Sequence, residues 1–539
     1  MRRLAMIVVV GLMVAAWPSA GSAGPAALAV PAAAAAGSLE ADFNNDGFAD
    51  LAVGAQGETI GGNFAAGAVN VLYGAAGGLS GTGSQVFYQG AGGGVAGTAQ
   101  TRDSFGTALA SGDFNHDGIA DLAVGVPGEN AGGVSDAGAV QVLYGSPAGL
   151  TGGGSQLFSQ ATAGVAGNPE ANDLFGSALA AGDFDGDGVD DLAVGVRGEA
   201  IGALAEAGSV NVLYGSDGGL STAGNRQFWQ GNAGVVGSAE TGDAFGYAVS
   251  AGDFDHDGFA DLAVGVISED IGAVLHAGAV NVLYGAADGL STAGDQLFRQ
   301  GAAGVVGTAE RPDEFGGALA SGDFDQDGFA DLAVGVSSEA VGAVFAAGAV
   351  NLLYGGTGGL SGSGSQLFRQ GAGGVGGTAE AEDLFGLAVA AGDFNHNGAD
   401  DLAIGAPDES IGPFAAAGAV NVLYGGTSGL TGTGSQVFWQ GKEGVAGELE
   451  PGGDQFGWAL STGDFNRNGF VDLAVGVVSE DIGTLPQPGS VESAGAVDAI
   501  YGATSGLSGA GSQEFTQNTP GVPGTAEDTD SFGGALVGR

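Results

Sequence analysis

The chain has 539 residues, of which 44% are hydrophobic and only 13% are charged, so it is too apolar to be a disordered acidic tail. Its formal net charge of −50 would repel nucleic acid and anionic lipid headgroups, and it leaves cations as the natural partners of the surface. The absence of cysteine excludes disulfides and zinc sites of the cysteine type.

The first residues have the pattern of a secretory signal peptide. Arg2 and Arg3 precede a short apolar run from Leu4 to Trp17, and small residues follow it. The run is short for a membrane-spanning helix, although an uncleaved membrane anchor is the alternative. We therefore predict a signal peptide and Ala-rich leader over residues 1–36 and a mature domain over residues 37–539. We expect this domain to be a monomer without a membrane span, either secreted or held at the cell surface.

After the leader, the chain consists of one unit repeated seven times. With spacings of 70 or 71 residues, an acidic loop starts at Asp42, Asp113, Asp183, Asp253, Asp323, Asp393 and Asp464. Each unit has the same order: an FGxA segment, the acidic loop, a DLAVG-type run, a Gly-rich loop, an AVNVLYG-type run and a segment such as SQLF. The apolar runs are short, rich in valine and bounded by glycine, which predicts four β-strands per unit.

Seven units of four antiparallel strands predict an all-β fold, a seven-bladed β-propeller. The first acidic loop has no FG segment before it, whereas Asp530 to Arg539 contains an FG segment with no acidic loop after it. We therefore expect the N- and C-terminal segments to pair within one blade and close the ring, which removes exposed sheet edges. A linear β-solenoid is the alternative, in which both segments would stay unpaired.

Each acidic loop carries the oxygen ligands of a predicted calcium site. Acidic or amide side chains occupy the first, third, fifth and ninth places, and glycine permits a sharp turn at the sixth. Alternate residues of a tight loop can point their oxygens at one centre, which the backbone carbonyl of the seventh place can also face. Oxygen donors in this number suit Ca²⁺, which accepts six to eight of them in loose geometry. A solvated acidic turn without a metal is the alternative.

The predicted ligands occupy the same five places in every unit, and the seventh place contributes its backbone carbonyl. They are Asp42, Asn44, Asp46, Phe48 and Asp50; Asp113, Asn115, Asp117, Ile119 and Asp121; Asp183, Asp185, Asp187, Val189 and Asp191; Asp253, Asp255, Asp257, Phe259 and Asp261; Asp323, Asp325, Asp327, Phe329 and Asp331; Asp393, Asn395, Asn397, Ala399 and Asp401; and Asp464, Asn466, Asn468, Phe470 and Asp472.

The seven loops differ in charge. The third, fourth and fifth have four aspartates among the ligands, the first and second have three, and the sixth and seventh have two. Arg467 also lies within the seventh loop. Because fewer charged ligands bind calcium more weakly, we predict up to seven Ca²⁺ ions, with occupancy falling in that order and weakest at the sixth and seventh loops.

The FG dipeptide, the DxDxDGxxD loop and the GAV of AGAVNVLYG together resemble the FG-GAP repeats of integrin α-subunit β-propellers, over about residues 40 to 539. The resemblance implies metal loops between the first and second strands of each blade, all on one face of the ring, and ligand binding at the other face. Integrins carry metal loops in only some blades, whereas every unit has one here. Similar propellers occur in secreted bacterial proteins and in some lectins.

Two further carboxylates recur in every unit. An aspartate stands two places before each FG, at Asp103, Asp173, Asp243, Asp313, Asp383, Asp454 and Asp530. A glutamate stands four places after each DLAVG-type glycine, at Glu58, Glu129, Glu199, Glu269, Glu339, Glu409 and Glu480. We interpret both sets as caps of backbone N–H groups in their own turns, and a ring of ligand-binding carboxylates is the alternative.

Positions that vary among the units are better ligand candidates. The residues after the last phenylalanine of the SQLF-type segment are expected to face solvent on the outer strands, and they are Tyr88, Ser159, Trp229, Arg299, Arg369, Trp439 and Thr516. Tyr247 and Trp458 vary similarly within the FGxA segment. Exposed aromatic side chains can stack on sugars or proteins, and filling between blades is the alternative.

The repeated units contain no Ser-His-Asp set and no histidine cluster suited to zinc. We therefore predict a non-enzymatic, calcium-binding propeller that acts as a binding or adhesion module for an extracellular protein or glycan, and not for nucleic acid. One alternative is a carbohydrate-active enzyme, a lyase or hydrolase with its site at the propeller axis. The other is a structural protein of a cell surface or matrix.

Overall fold

Twenty-eight β-strands make up the computed structural model, which describes residues 41–90, 94–232, 234–483 and 490–539. The strands form seven antiparallel sheets of four, so the predicted seven-bladed β-propeller is confirmed. Within the described residues, no helix is long and apolar enough to cross a membrane. The predicted leader, residues 1–36, lies outside the described residues.

The strands of each blade follow one another from the axis outwards, and blades are numbered by their acidic loops. The strands are β1 (Leu51–Ala55), β2 (Ala68–Tyr73) and β3 (Ser80–Phe87) in blade 1; β4 (Leu109–Gly112), β5 (Asp121–Val126), β6 (Ala139–Tyr144) and β7 (Thr151–Phe158) in blade 2; β8 (Ala178–Gly182), β9 (Asp191–Val196), β10 (Ser209–Tyr214) and β11 (Ser221–Phe228) in blade 3; β12 (Phe245–Gly252), β13 (Asp261–Val266), β14 (Ala279–Tyr284) and β15 (Ser291–Phe298) in blade 4; β16 (Leu319–Gly322), β17 (Asp331–Val336), β18 (Ala349–Tyr354) and β19 (Ser361–Phe368) in blade 5; β20 (Val389–Gly392), β21 (Asp401–Ala406), β22 (Ala419–Tyr424) and β23 (Thr431–Phe438) in blade 6; β24 (Phe456–Gly463), β25 (Asp472–Val477), β26 (Ala496–Tyr501) and β27 (Ser508–Phe515) in blade 7; and β28 (Phe532–Val537), which completes blade 1.

Blade 1 is built from both ends of the described chain. Strand β28 pairs antiparallel with β1, with Val537 opposite Ala52. The Ala41 N–H donates to the Gly538 carbonyl oxygen at 3.4 Å. The inner strands contact one another in the cyclic order β28, β4, β8, β12, β16, β20 and β24. The predicted closure of the ring by the N- and C-terminal segments therefore rests on a direct strand pair.

The hydrophobic core of the described residues consists of seven clusters, each lying between two neighbouring blades. The cluster between blades 7 and 1, for example, joins Val497 to Val53 and Leu536. The second strand of a blade is buried along its whole length, as in β5, because both of its faces pack on neighbouring blades. No blade can hide its apolar surface alone, so the stability of each depends on the complete ring.

Neighbouring blades are joined where an FG phenylalanine meets the glycine that precedes the third strand of the previous blade. The Phe105 N–H donates to the Ala66 carbonyl oxygen at 2.9 Å, and Gly67 forms a parallel bridge with Phe105. A Cβ atom added at Gly67 would lie 2.3 Å from the Phe105 carbonyl oxygen, so only glycine fits. The corresponding glycines of the other junctions are Gly138, Gly208, Gly278, Gly348, Gly418 and Gly495.

A second contact between blades uses a side-chain amide on the third strand. The amide nitrogen donates to a backbone carbonyl oxygen of the preceding blade at 2.6 to 3.0 Å. The donors in five blades are Asn70, Asn211, Asn281, Asn351 and Asn421. Blade 7 has Asp498 at this place, fully buried, and neither of its carboxylate oxygens has a hydrogen-bond partner. Burial raises the pKa of Asp498 well above its ordinary value, and the charges of Glu514 and Glu480 raise it further.

We expect Asp498→Asn to stabilise the protein at neutral pH by about 1–3 kcal/mol, the usual cost of a buried polar group without a partner. The pKa of Asp498 is raised in the folded state. The loss in free energy of unfolding that Asp498 causes is therefore small below the unfolded-state pKa of 3.8, and it grows as the pH rises above that value. The gain in melting temperature should therefore be larger at pH 7.5 than at pH 4.5. The reverse change in blade 6, Asn421→Asp, should destabilise with the same pH dependence. An equal gain in melting temperature from Asp498→Asn at pH 4.5 and pH 7.5 would contradict this account.

Candidate metal centre

The acidic loops connect the first and second strands of blades 2 to 7, and the loop of blade 1 lies at the equivalent place before β1. Because every blade has the same strand order, the loops lie together on one side of the ring, which we call the metal-loop face. Neighbouring loops touch there: His116 Nδ1 lies 3.0 Å from the Gly188 carbonyl oxygen of the next blade.

Three of the four predicted side-chain ligands are brought together in blades 3, 4 and 5. In each, oxygens of the first-, third- and ninth-place aspartates lie within 4.8 Å of one another, in the groups Asp183, Asp185 and Asp191; Asp253, Asp255 and Asp261; and Asp323, Asp325 and Asp331. The fifth-place aspartate is outside these groups. In blade 3, Asp187 Oδ1 instead accepts the Val189 N–H at 2.9 Å. These are the loops with four aspartates, for which the sequence predicts the highest occupancy.

Backbone N–H groups hold the carboxylates in place. Asp183 Oδ2 accepts the N–H of Gly188 at 2.9 Å, and that glycine has a left-handed φ of 90° at the turn. The two oxygens of Asp191 accept the Phe184 N–H at 2.9 Å and the Gly215 N–H at 2.8 Å. Since each carboxylate oxygen has two lone pairs, these bonds leave capacity for a cation. The backbone thus orients the first- and ninth-place carboxylates of this loop.

Two of the three gathered carboxylates of blade 3 resist ionisation. Burial raises the pKa of Asp191 to about 8, against the lowering effect of its bond from Gly215 and with a further rise from the charge of Asp185. Burial also raises the pKa of Asp185, and the charge of Asp187 adds to the rise. A divalent cation would reverse this preference by stabilising the charged form of both groups.

The donor set fits calcium. Every predicted ligand atom is an oxygen, as a hard cation prefers. Buried oxygens without a hydrogen-bond partner occur at the third place of three loops, at Asn44 Oδ1, Asp255 Oδ1 and Asn466 Oδ1. A buried polar atom without a partner is costly, and an ion at the loop centre would supply that partner.

The third-place asparagines behave differently from the aspartates. Asn395 Nδ2 donates to Asp401 Oδ2 at 3.0 Å, and Asn466 Nδ2 donates to Asp472 Oδ2 at 3.1 Å. These bonds partly satisfy the ninth-place carboxylate without an ion. They favour the predicted weaker binding of the sixth and seventh loops, which stays a prediction.

Arg467 belongs to the seventh loop in sequence, but its guanidinium lies against the first loop. Arg467 Nη1 donates to the Asp46 carbonyl oxygen at 3.4 Å, and the guanidinium carbon lies 5.9 Å from the centroid of the Phe48 ring. The side chain at the fourth place of a loop therefore reaches the next blade, and the charge of Arg467 acts on the first loop as well as on its own.

Of the two recurrent carboxylate sets outside the loops, only one caps its own turn. Asp103 Oδ2 accepts the Gln100 N–H at 2.5 Å, as predicted. Glu129 instead accepts a hydrogen bond at 2.8 Å from Gln89 Nε2 of the preceding blade, and the interpretation of the glutamates as turn caps is wrong for it. The equivalent bonds from glutamine in other blades reach Glu58, Glu199, Glu339, Glu409 and Glu480.

The variable positions are less exposed than predicted. The residues after the outer strands are half-buried, except Ser159, which is buried. The Trp439 ring is covered by Lys442 Nζ, 4.0 Å from its centroid. Tyr247 and Trp458 pack against the cores between blades. These contacts favour packing for Tyr247 and Trp458, whereas Trp229 and Trp439 each line a cleft at an outer strand.

Comparison with known proteins gives one family. The sequence profile of the FG-GAP repeat matches residues 34–72, 105–143, 175–213, 245–283, 315–350, 385–423 and 456–498. Phosphatidylinositol-glycan-specific phospholipase D of Rattus norvegicus is 39% identical over 160 residues, which are 30% of this chain and 18% of that protein. Integrin alpha-5 of Xenopus laevis is 32% identical over 236 residues, which are 43% of this chain and 20% of that protein.

The chain thus aligns with only 18% and 20% of the length of these two relatives. Among solved structures, a rhamnogalacturonan lyase covers 83% of this chain and 72% of its own, with a TM-score of 0.33 and 12% sequence identity. A similarity this low carries no argument about activity.

Proposed function

Since this chain belongs to the FG-GAP repeat family, we propose that it is a calcium-binding propeller that acts as an extracellular binding or adhesion module. One observation carries the proposal: the first-, third- and ninth-place carboxylates of three blades lie within 4.8 Å of one another on a ring whose blades depend on each other. Calcium bound there would supply the positive charge that keeps these loops ordered.

We assign the ion of each loop to the side chains of the first, third, fifth and ninth places and to the carbonyl of the seventh. Buried oxygens without partners at the third place support the assignment. The fifth-place side chain would join the set when the ion is bound.

The proposed partner is an extracellular protein or glycan, and the proposed role is non-catalytic. The net charge of −50 opposes nucleic acid as a partner. Secretion is proposed from the signal-peptide pattern before residue 37 and from the similarity to integrin alpha-5. We further propose that the protein acts as a monomer.

The test is binding of the purified, calcium-loaded protein to a glycan array and to an array of extracellular-matrix proteins. We expect ligand binding in calcium that is lost in EDTA, because the loops lose order without the ion. No binding to either array in calcium would overturn the proposal. Release of shortened or unsaturated products from a polysaccharide would overturn its non-catalytic part.

A further inference from the structure

The outer strand of blade 3 departs from the repeat. Six blades carry a glutamine two places before the last phenylalanine of the strand, and a tyrosine O–H donates to its side chain, as from Tyr354 to Gln366 at 2.6 Å. Blade 3 has Arg226 there, which donates from Nη1 to the Leu290 carbonyl oxygen at 2.8 Å. The Tyr214 hydroxyl is buried and lacks the glutamine acceptor of the other six blades. A repeat that gives up a structural bond in one copy indicates a local function.

The changed residues line a cleft of ≈ 540 Å³ at the outer strand of blade 3, which also reaches Ala166 after blade 2 and the start of the outer strand of blade 4. Arg226, Gln227, Trp229 and Asn232 contribute from blade 3, and Thr292 contributes from blade 4. This volume is within the range of small-molecule sites, which is about 300–1,000 Å³.

Hydrogen bonds fix the polar side chains of this cleft. Asn232 Nδ2 donates to the Gln227 carbonyl oxygen at 3.1 Å, and Gln227 Nε2 donates to Ser209 Oγ at 2.9 Å. Arg226 also donates from Nη2 to Asp288 Oδ2 at 3.3 Å. Two bonds use only part of the five N–H donors of an arginine, and Asn232 keeps its second N–H and its oxygen. The cleft therefore offers fixed, planar polar groups beside an indole ring.

We propose that this cleft binds a neutral saccharide unit, with Trp229 stacked on the apolar face of the sugar ring and Asn232 and Arg226 bonded to its hydroxyl groups. The inference rests on the proposed binding function and names its ligand class. A sugar ring presents C–H groups on one face and paired hydroxyls at its edge, which match an indole and planar amide or guanidinium groups. The net charge of −50 and the nearby Asp288 disfavour an acidic sugar.

Blade 6 supplies an internal control. Trp439 stands at the place of Trp229, but Lys442 stands at the place of Asn232. Lys442 Nζ lies 4.0 Å from the centroid of the Trp439 ring and donates to the Val437 carbonyl oxygen at 2.6 Å. Trp439 also lines a cleft, of ≈ 480 Å³, but Lys442 lies over one face of its ring, so the two clefts differ in the group beside the indole.

The experiment is calorimetric titration of the calcium-loaded protein with neutral tetrasaccharides of glucose, mannose, xylose and N-acetylglucosamine, and with tetragalacturonate as an acidic probe. We expect at least one neutral probe to bind. Trp229→Ala should weaken that binding about tenfold or more, and Trp439→Ala should leave it unchanged. Asn232→Lys places a lysine beside Trp229, as Lys442 lies beside Trp439 in blade 6, and should weaken binding similarly. It serves as a second variant if Trp229→Ala fails to fold.

Equal binding by the wild type, Trp229→Ala and Asn232→Lys would overturn the assignment of the site, and tighter binding of tetragalacturonate would overturn its neutral character. If no saccharide binds while a matrix protein does, the saccharide inference fails and the binding function stands. If nothing binds in either assay, the proposed function itself fails.

Discussion

Removal of calcium is expected to lower the melting temperature by roughly 10–20 °C. An ion that binds only the folded state contributes about 2.7 kcal/mol when its concentration is 100 times its Kd, and the chain has seven candidate loops. For a domain of this size each kcal/mol shifts the melting temperature by about 1 °C. When the ion leaves, the three carboxylates gathered in each of blades 3, 4 and 5 lose the positive charge that offsets their burial and mutual repulsion. Differential scanning calorimetry in calcium and in EDTA measures the shift.

A matched pair of variants distinguishes the effect of losing the ion from the effect of losing a backbone contact in the loop. Asp253 Oδ2 accepts the Gly258 N–H at 3.0 Å, and Asp464 Oδ2 accepts the Gly469 N–H at 2.8 Å, so alanine removes the same backbone contact from either loop. Asp253→Ala should also remove one calcium ion from the stoichiometry and reduce the effect of EDTA, whereas Asp464→Ala should change both less. An unchanged melting curve in EDTA would contradict the metal sites, and equal calcium affinities in all loops would contradict the predicted order.

Gly348→Ala is expected to destabilise the protein by more than about 4 kcal/mol, the range of severe core defects. The added Cβ would lie 2.1 Å from the Phe385 carbonyl oxygen, at a φ of +84°. Neither backbone can move aside without separating blade 5 from blade 6, because the Phe385 N–H is bonded to the Ala347 carbonyl oxygen at 3.1 Å. Urea unfolding followed by circular dichroism measures the change.

Gly342→Ala is the control for this change. Gly342 belongs to the same blade and has a φ of +67°, but its added Cβ would meet no atom within 4 Å. It should therefore cost only the backbone strain, on the order of 1 kcal/mol. Similar losses in free energy of unfolding in the two variants would show that the contact between Gly348 and Phe385 contributes little to holding the blades together.

The sequence was sufficient to predict the ring because the same pattern of segments recurs in all seven units. A period of 70 or 71 residues determines the number of blades, and four glycine-bounded apolar runs per period determine the number of strands. The offset between FG segments and acidic loops predicted the pairing of β28 with β1, which the structure contains. The spacing within the loops also predicted which aspartates gather, although the fifth-place side chain, Asp187 in blade 3, lies outside the group.

Contacts between blades could not be predicted from one unit. The bond from Gln89 to Glu129 joins residues 40 apart in sequence that lie in different blades, and nothing in the local pattern links them. The direction of Arg467 depends in the same way on where the first loop lies. The cleft in blade 3 did leave a signal, since Asn225 to Gln227 differ from the SQL or SQV of most other units. Place-by-place comparison of the units would have found it.

The side-by-side position of Ala41 and Gly538 has a mechanical consequence. Tension applied between these two points acts on a single blade and pulls β1 and β28 apart from adjacent ends. Antiparallel strands loaded in this way separate one hydrogen-bond pair at a time, whereas strands loaded at opposite ends must break all pairs together. If the propeller were attached to a surface through either residue, its metal-loop face would lie towards that surface and its opposite face would point away from it.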